Sequence, residues 1–141
     1  MPDVSITPDF IQSAMEGFSR KSELYKQTHG VHSCALFDEK EMLVFAEDLG
    51  RHNALDKILG RCLLEDISTS DKILFTTGRI SSEILIRAAR MQIPVLVSRT
   101  APTTLSIEIA ERMNISVIGF VRGGGMKVYT HPHRLGLMKS C

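Results

Sequence analysis

The chain has 141 residues, of which 43% are hydrophobic and 23% charged, and these proportions fit one compact globular domain and exclude disordered, coiled-coil and collagen-like chains. The formal net charge of +1 provides no broad electrostatic field, so we expect neither a nucleic-acid nor a membrane partner. The sequence also has no apolar stretch of the roughly 20 residues that a membrane span needs, and its first residues lack the features of a secretory signal.

The first half of the sequence predicts a helix, a hairpin and a second helix. Apolar residues at helical spacing indicate a helix over 8–27. Two short apolar runs, 31–37 and 42–46, are joined by a polar turn, which is typical of a β-hairpin. Asn53 is expected to cap the second helix and Asp56 to lie in its first turn, where a carboxylate interacts favourably with the helix dipole.

The second half alternates short apolar runs with helical segments. The predicted strands are 73–76, 94–97, 115–121 and 126–130, and the predicted helices run from Ser82 to about Met91 and from Pro102 to about Met113. Nearly unbroken apolar runs are typical of parallel strands that are covered on both faces. The order therefore predicts an α/β fold with a mixed sheet and parallel core strands. The glycines at 123–125 resemble a flexible flap, and the tail over 131–141 is expected to be loosely ordered.

Three loops that follow predicted strands carry side chains suited to an anion. They span residues 47–53, 76–82 and 98–103, and each contains one arginine. In α/β sheets, ligands bind beyond the carboxyl ends of the strands, where helix N-termini and loop amides converge. The candidate ligands of a phosphate or pyrophosphate are Arg51, His52, Gly78, Arg79, Ser81, Ser82, Ser98, Arg99, Thr100 and Thr103. The alternative is that these residues are helix caps and a solvated rim.

His52 lies close in sequence to the carboxylate of Asp48. A carboxylate beside a histidine fixes its tautomer and prepares it for proton transfer. We therefore expect His52 and Asp48 to organise the candidate site, and the alternative is a network that braces the loop. The sequence lacks the spacings of a P-loop, a dinucleotide-binding fingerprint, a serine hydrolase and a zinc deaminase. We assign no catalytic residue beyond this organising role.

Histidine and cysteine side chains cluster near the first predicted strand. His29, His32 and Cys34 form an HxxHxC pattern that suits a metal ion, but no further Cys/His pair completes a closed tetrahedral site. The alternative is structural histidines and a buried, inert thiol. Cys62 lies on the apolar face of its helix, and Cys141 is the last residue. Because the cysteines lack ligand or disulfide spacing, we expect free thiols and a cytoplasmic location.

The stretch over 47–57, EDLGRHNALDK, is a distinctive pattern. It closely resembles the EDxGRHNAxDK signature of the formate dehydrogenase accessory sulfurtransferase family, FdhD. Further segments that resemble the same family, in the same order, are GVHSCAL at 30–36, TGRISSE at 77–83, IPV with SRTAPT within 93–103, and GFVR with VYT within 119–130. The resemblance covers about residues 29–130, so we interpret 1–28 as an N-terminal helical segment, 29–130 as an FdhD-like α/β domain and 131–141 as a C-terminal tail.

The resemblance implies a three-layer α/β/α fold similar to that of cytidine deaminases and a tendency to form homodimers. It also implies a cytoplasmic protein that binds the molybdopterin guanine dinucleotide cofactor. Members of the family pass sulfur to the metal of this cofactor, the sulfur arriving as a persulfide from a cysteine desulfurase, and the cofactor is then inserted into the formate dehydrogenase apoprotein. The three arginine-containing loops become candidates for binding its nucleotide and pyrophosphate, with GDP as a mimic.

The sequence departs from the family pattern in its cysteines, because Cys34 lies where the family usually has a small residue and the family's cysteine pair is missing. The persulfide-carrying cysteines of the family form a CxxC upstream of the matched region, and this sequence contains no CxxC. Two interpretations stay open: a cofactor-binding C-terminal domain of such a protein, or a non-catalytic module that binds a guanine nucleotide or a partner protein through the same edge. A third hypothesis, a metal-dependent hydrolase, would use His29, His32 and Asp48.

Overall fold

The computed structural model of the chain describes residues 4–25 and 32–136 and, within these ranges, every side chain except those of residues 23–25, 51 and 52. Within these ranges the helices are α1 (Pro8–Tyr25), α2 (Arg51–Leu64), α3 (Ser82–Arg90), α4 (Thr104–Met113) and a 3₁₀ helix (Pro132–Leu135). The strands are β1 (His32–Phe37), β2 (Met42–Asp48), β3 (Ile73–Thr76), β4 (Val95–Ser98), β5 (Ser116–Arg122) and β6 (Gly125–Val128). None of the described helices has the length and apolar character required to traverse a bilayer.

The described strands form one mixed sheet in the order β2-β1-β3-β4-β5-β6. β3, β4 and β5 are parallel, whereas β1 pairs antiparallel with β2 and β3, and β6 pairs antiparallel with β5. β2 therefore runs in the same direction as the three parallel strands, and the carboxyl ends of β2, β3, β4 and β5 lie at one edge of the sheet. The predicted mixed sheet with parallel core strands is confirmed.

One face of the sheet packs against α2, α3 and α4. Alternate strand residues such as Leu74, Leu96 and Val117 point to this face and join the apolar sides of the three helices, including Leu55 and Leu85, in one buried cluster. Each of these five side chains is at most 1% exposed. Burial of this face is what orients the N-termini of the three helices toward the carboxyl edge of the sheet.

The opposite face packs against α1. Phe18 of α1 is fully buried, and its ring makes edge contacts with Phe45 and Phe75 at centroid distances of 6.0 and 6.2 Å. Leu135 of the 3₁₀ helix belongs to the same buried cluster. Helices thus cover both faces, which gives the three-layer α/β/α arrangement that we expected.

The start of α2 differs from our prediction. The helix begins at Arg51 with Gly50 as its N-cap, and no side chain caps it. Asn53 instead lies inside the first turn, where its amide donates to Asp48 Oδ1 at 3.5 Å. Asp56 lies one turn further along and pairs with Arg87 of α3 at 2.5 Å. The helix starts earlier because Asp48 also accepts from the Gly50 amide at 3.1 Å, which closes the turn before Asn53.

Two further predictions need correction. Gly123 and Gly124 form the turn of the β5–β6 hairpin, with φ of +60° and +80°, and are not a flap. Such positive φ values at both turn positions suit the twist of a two-residue hairpin loop and favour glycine. The tail is ordered as far as the 3₁₀ helix, where Arg134 and Leu135 are buried, and residues 137–141 lie outside the described ranges.

Candidate functional site

The arginine-containing loops lie along one edge of the sheet. Asp48, Thr76 and Ser98 are the last residues of β2, β3 and β4. The register places Thr76 beside Ser98, and it places His32, the first residue of β1, opposite Asp48. This edge is where an open α/β sheet presents its loops and helix N-termini to a ligand.

The loops after β3 and β4 are joined by Ser98. Its hydroxyl donates to the carbonyl of Gly78 at 2.7 Å and accepts from the amide of Thr100 at 3.0 Å. The Ser98 side chain is fully buried. Ser98 therefore holds the two loops at a defined distance from each other, whereas Thr100 remains partly exposed at the edge.

Two predicted site hydroxyls cap helices. Ser81 is the N-cap of α3 and accepts from the amide of Ile84 at 3.3 Å. Thr103 is the N-cap of α4 and accepts from the amide of Ser106 at 3.2 Å. Ser82 is the first residue of α3 and is partly exposed. Both helix N-termini, with their partial positive charge, therefore lie at this edge.

The arginines of the second and third loops are available to a ligand. Arg79 is exposed and Arg99 is partly buried. Neither forms an ion pair with another described residue, whereas Arg61 and Arg87 on the helices are paired with carboxylates. Two cations without a carboxylate partner, next to two helix N-termini, make this edge attractive to an anion.

Asp48 organises the first loop. The Lys57 ammonium, 2.9 Å from the carboxylate, and the Gly50 amide hold the pKa of Asp48 down at about 2. Lys57 also donates to the backbone carbonyl of Glu47 at 2.8 Å. Lys57 is thus a structural partner of Asp48 that was not among the predicted site residues. It is the last residue of the EDLGRHNALDK stretch, and that position could have pointed to it. The side chains of Arg51 and His52 are outside the described part of the chain, so the His52–Asp48 pairing stays a prediction.

Glu47 is a second residue that the candidate set omitted. Its Oε2 is buried and has no hydrogen-bond partner among the described residues. A buried carboxylate oxygen without a donor is unfavourable, and this atom lies one residue from Asp48 at the end of β2. The sequence signal was again the signature, in which Glu47 is the first residue.

The HxxHxC pattern is only partly described. His29 lies outside the described ranges, and His32 begins β1. Within those ranges, no three His, Cys, Asp or Glu side chains come together as a metal-binding group. Cys34 is 3% exposed and Cys62 is buried on the α2 side of the sheet.

Cys34 has the properties of a core thiol. Burial raises its pKa to about 11, and a hydrogen bond with Thr76 only partly offsets that effect. We expect iodoacetamide at pH 8 to modify Cys34 at least about a hundredfold more slowly in the folded chain than in urea, because only about one thiol in a thousand would be ionised. Mass spectrometry of the Cys34 peptide over time measures both rates. Equal rates in the two states would contradict this and make Cys34 an accessible nucleophile.

Comparison with known proteins identifies the family of the chain. The FdhD/NarQ family model matches residues 1–136. This chain belongs to the FdhD/NarQ family. The FdhD resemblance noted in the sequence is thereby confirmed.

Two FdhD relatives illustrate the match. The sulfur carrier protein FdhD of Bacillus subtilis (strain 168) is 45% identical over 132 residues, which cover 94% of this chain and 50% of that protein. The sulfur carrier protein FdhD of Staphylococcus aureus (strain MRSA252) is 44% identical over 135 residues, covering 96% of this chain and 51% of that protein. The chain thus spans about half the length of these FdhD relatives.

Solved structures show the same FdhD fold. A protein from Desulfotalea psychrophila, assigned as a formate dehydrogenase accessory protein, superposes with a TM-score of 0.87 at 35% identity, over 96% of this chain and 61% of that one. The dCMP deaminase of cyanophage S-TIM5 has a TM-score of 0.60 at 13% identity, over 79% of this chain and 98% of that one. At that identity the likeness concerns the fold alone, and it confirms the deaminase-like architecture.

Proposed function

We propose that this chain supplies the cofactor-binding part of a formate dehydrogenase accessory sulfur carrier, and that its ligand is molybdopterin guanine dinucleotide. The observation that carries the proposal is the presence of Arg79 and Arg99, unpaired among the described residues, beside the N-termini of α3 and α4. Guanidinium groups bind phosphate through two parallel hydrogen bonds, and helix N-termini add further donors. Membership of the FdhD/NarQ family supports the choice of this cofactor over other phosphorylated ligands.

The burial of the two described cysteines indicates which step of sulfur transfer this chain would carry out. Cys34 and Cys62 are buried and their pKa values are raised, so neither is suited to carry a persulfide. We therefore assign the binding and orientation of the cofactor to this chain. The persulfide would be carried by cysteines other than Cys34 and Cys62. The proposed partners are a cysteine desulfurase, the formate dehydrogenase apoprotein and a second copy of the chain, in the cytoplasm.

Calorimetric titration with GDP, with ADP as the control nucleotide, tests the proposal. We expect micromolar binding of GDP, with ADP at least about tenfold weaker, a difference of about 1.4 kcal/mol. Arg79→Ala is expected to weaken GDP binding by about ten- to a hundredfold, the value of one charge-assisted hydrogen bond. Arg112→Ala is the matched control, because Arg112 is an exposed arginine in the last turn of α4, at the opposite edge of the sheet. Absence of GDP binding by the unmodified chain, or an unchanged affinity in Arg79→Ala, contradicts the proposal.

A second candidate function is a non-catalytic module that binds a guanine nucleotide at the same edge. The buried state of Cys34 and Cys62 favours it, since these described thiols are not placed for sulfur transfer. Complementation of a formate dehydrogenase maturation defect by the chain, co-expressed with the CxxC-bearing part of an FdhD relative, separates the two functions. Restored formate dehydrogenase activity supports the accessory role, and GDP binding without complementation supports the module.

A further inference from the structure

A groove of about 250 Å³ opens between α1, the β4–α4 loop and the β5–β6 hairpin. Its charged lining consists of Arg20, Arg99, Arg122 and Glu16. We call the three arginines and the space between them the arginine groove. The loop after β4 belongs to the candidate site, so the groove continues the carboxyl edge of the sheet onto its α1 face.

The walls of the arginine groove are held together by packing and hydrogen bonding. Gln12 of α1 donates to the carbonyl of Gly125 in the hairpin at 2.9 Å, across 113 residues of sequence. Met15 and Val121 are buried beneath it, with 3% and 0% exposure. The groove is therefore a preformed feature of the fold, built where α1 packs on the end of β5.

The charges of the groove are not balanced by the described residues. Arg122 contacts the ring of Phe120, with 5.6 Å between the guanidinium carbon and the ring centroid. Arg20 lies 3.7 Å from Glu16, and both side chains of that pair are mostly exposed, so the pair contributes little. Arg99 has no ion pair with a described residue. Three guanidinium groups with one weakly held carboxylate repel one another, and an anion between them would relieve that repulsion.

We propose that the arginine groove binds the diphosphate of a nucleotide ligand, with Arg20, Arg99 and Arg122 as its ligands. This inference rests on the proposed function and assigns a phosphate subsite within it. Guanidinium forks match the oxygen geometry of phosphate, and arginines from three separate elements enclose a diphosphate from more than one side. A volume of about 250 Å³ is below the roughly 300–1,000 Å³ of pockets that hold a whole drug-sized ligand. The groove therefore takes the diphosphate, and the remainder of the ligand lies over the loops after β3 and β4.

A larger cavity at the opposite edge of the sheet is unsuited to this ligand. Its volume is about 430 Å³, and its lining includes Gln92 and Asn114, which follow the C-termini of α3 and α4. Helix C-termini carry partial negative charge and disfavour phosphate. Arg134, which also lines this cavity, is buried and donates to the hydroxyl of Ser116 at 3.0 Å.

Titration of the full chain with inorganic pyrophosphate and with GDP tests the inference. Arg20→Gln and Arg122→Gln are each expected to weaken both ligands by at least about fivefold, and the double variant by more, because each removes a charge-assisted contact. Glu16→Gln is expected to strengthen pyrophosphate binding, because it removes the carboxylate of the groove. Arg112→Gln is the control and leaves both affinities unchanged. All four positions are exposed, so circular dichroism should show an intact fold.

The outcomes separate this inference from the function on which it rests. If Arg79→Ala weakens GDP but both groove variants bind pyrophosphate and GDP as the unmodified chain does, the groove assignment is overturned and the proposed function stands. If pyrophosphate binds through Arg20 and Arg122 while GDP binds no better than ADP, the groove assignment stands and the guanine ligand is wrong. Pyrophosphate binding that no arginine variant changes overturns the groove assignment.

Discussion

Phe18→Ala is expected to lower the free energy of unfolding by about 3–5 kcal/mol, the cost of removing a large aromatic side chain from a core. Phe18 is fully buried and contacts the rings of Phe45 and Phe75. Its removal leaves a cavity between α1 and the sheet that neighbouring side chains on rigid strands cannot fill. Urea unfolding followed by circular dichroism measures the change.

Leu64→Ala is the control for this loss of stability. Leu64 is 86% exposed at the end of α2, and its truncation is expected to change the free energy of unfolding by less than about 0.5 kcal/mol. A loss below about 1 kcal/mol in Phe18→Ala would mean that α1 is not part of the cooperative core. The arginine groove would then lose one of its walls, because Arg20 reaches the groove from α1.

The second large effect is expected for Gly119→Ala. A Cβ at this position would lie 2.9 Å from the carbonyl oxygen of Thr100 and 3.1 Å from Cδ of Pro102. These atoms belong to the β4–α4 loop, whose Thr100 carbonyl also accepts from the Phe120 amide at 3.2 Å. The loop must therefore move away from β5. We expect a loss of stability of about 1–3 kcal/mol, typical of overpacking.

Gly119→Ala is expected to lower the affinity for GDP as well as the stability. Arg99 is part of the displaced loop, so GDP affinity measured by calorimetry is expected to fall by at least about tenfold, because small displacements of positioning groups have large effects. Gly17→Ala is the matched control. A Cβ at Gly17 would meet nothing within 4 Å, and alanine is the better helix former by about 0.5–1 kcal/mol. Normal GDP binding by Gly119→Ala would show that the β4–α4 loop takes no part in the site.

The strands and their loops were predictable because the relevant signals are local. Nearly unbroken apolar runs at 73–76 and 94–97 identified parallel core strands, which need apolar residues on both faces. Strands of one direction end at one edge, so the loops after them had to lie side by side. The start of α3 at Ser82 was predicted as well, and Ser81, named as a candidate ligand with capping as the alternative, is its N-cap.

Errors occurred where a local pattern had two physical outcomes. Asn53 is a good N-cap residue, but the Asp48 carboxylate binds the Gly50 amide and starts α2 earlier. The glycines at 123–125 suit a flexible segment or a tight turn, and pairing of β5 with β6 selects the turn. The segment over 131–136 has few apolar residues, yet burial of Leu135 against the α1 face orders it.

The amino-acid sequence alone was sufficient for the α/β class and for the sheet edge at which the arginine-containing loops lie, because these depend on spacing along the chain. It did not reveal that Arg20 and Arg122 share a groove with Arg99, since these residues are separated by 79 and 23 positions. Their proximity arises because Phe18 packs α1 against the sheet and the hairpin folds back on α1. Burial also distinguishes Ser98, which joins two loops from within the core, from Arg79, which is exposed at the surface. Whether a side chain is buried or exposed to water depends on tertiary packing, which spacing along the sequence does not determine.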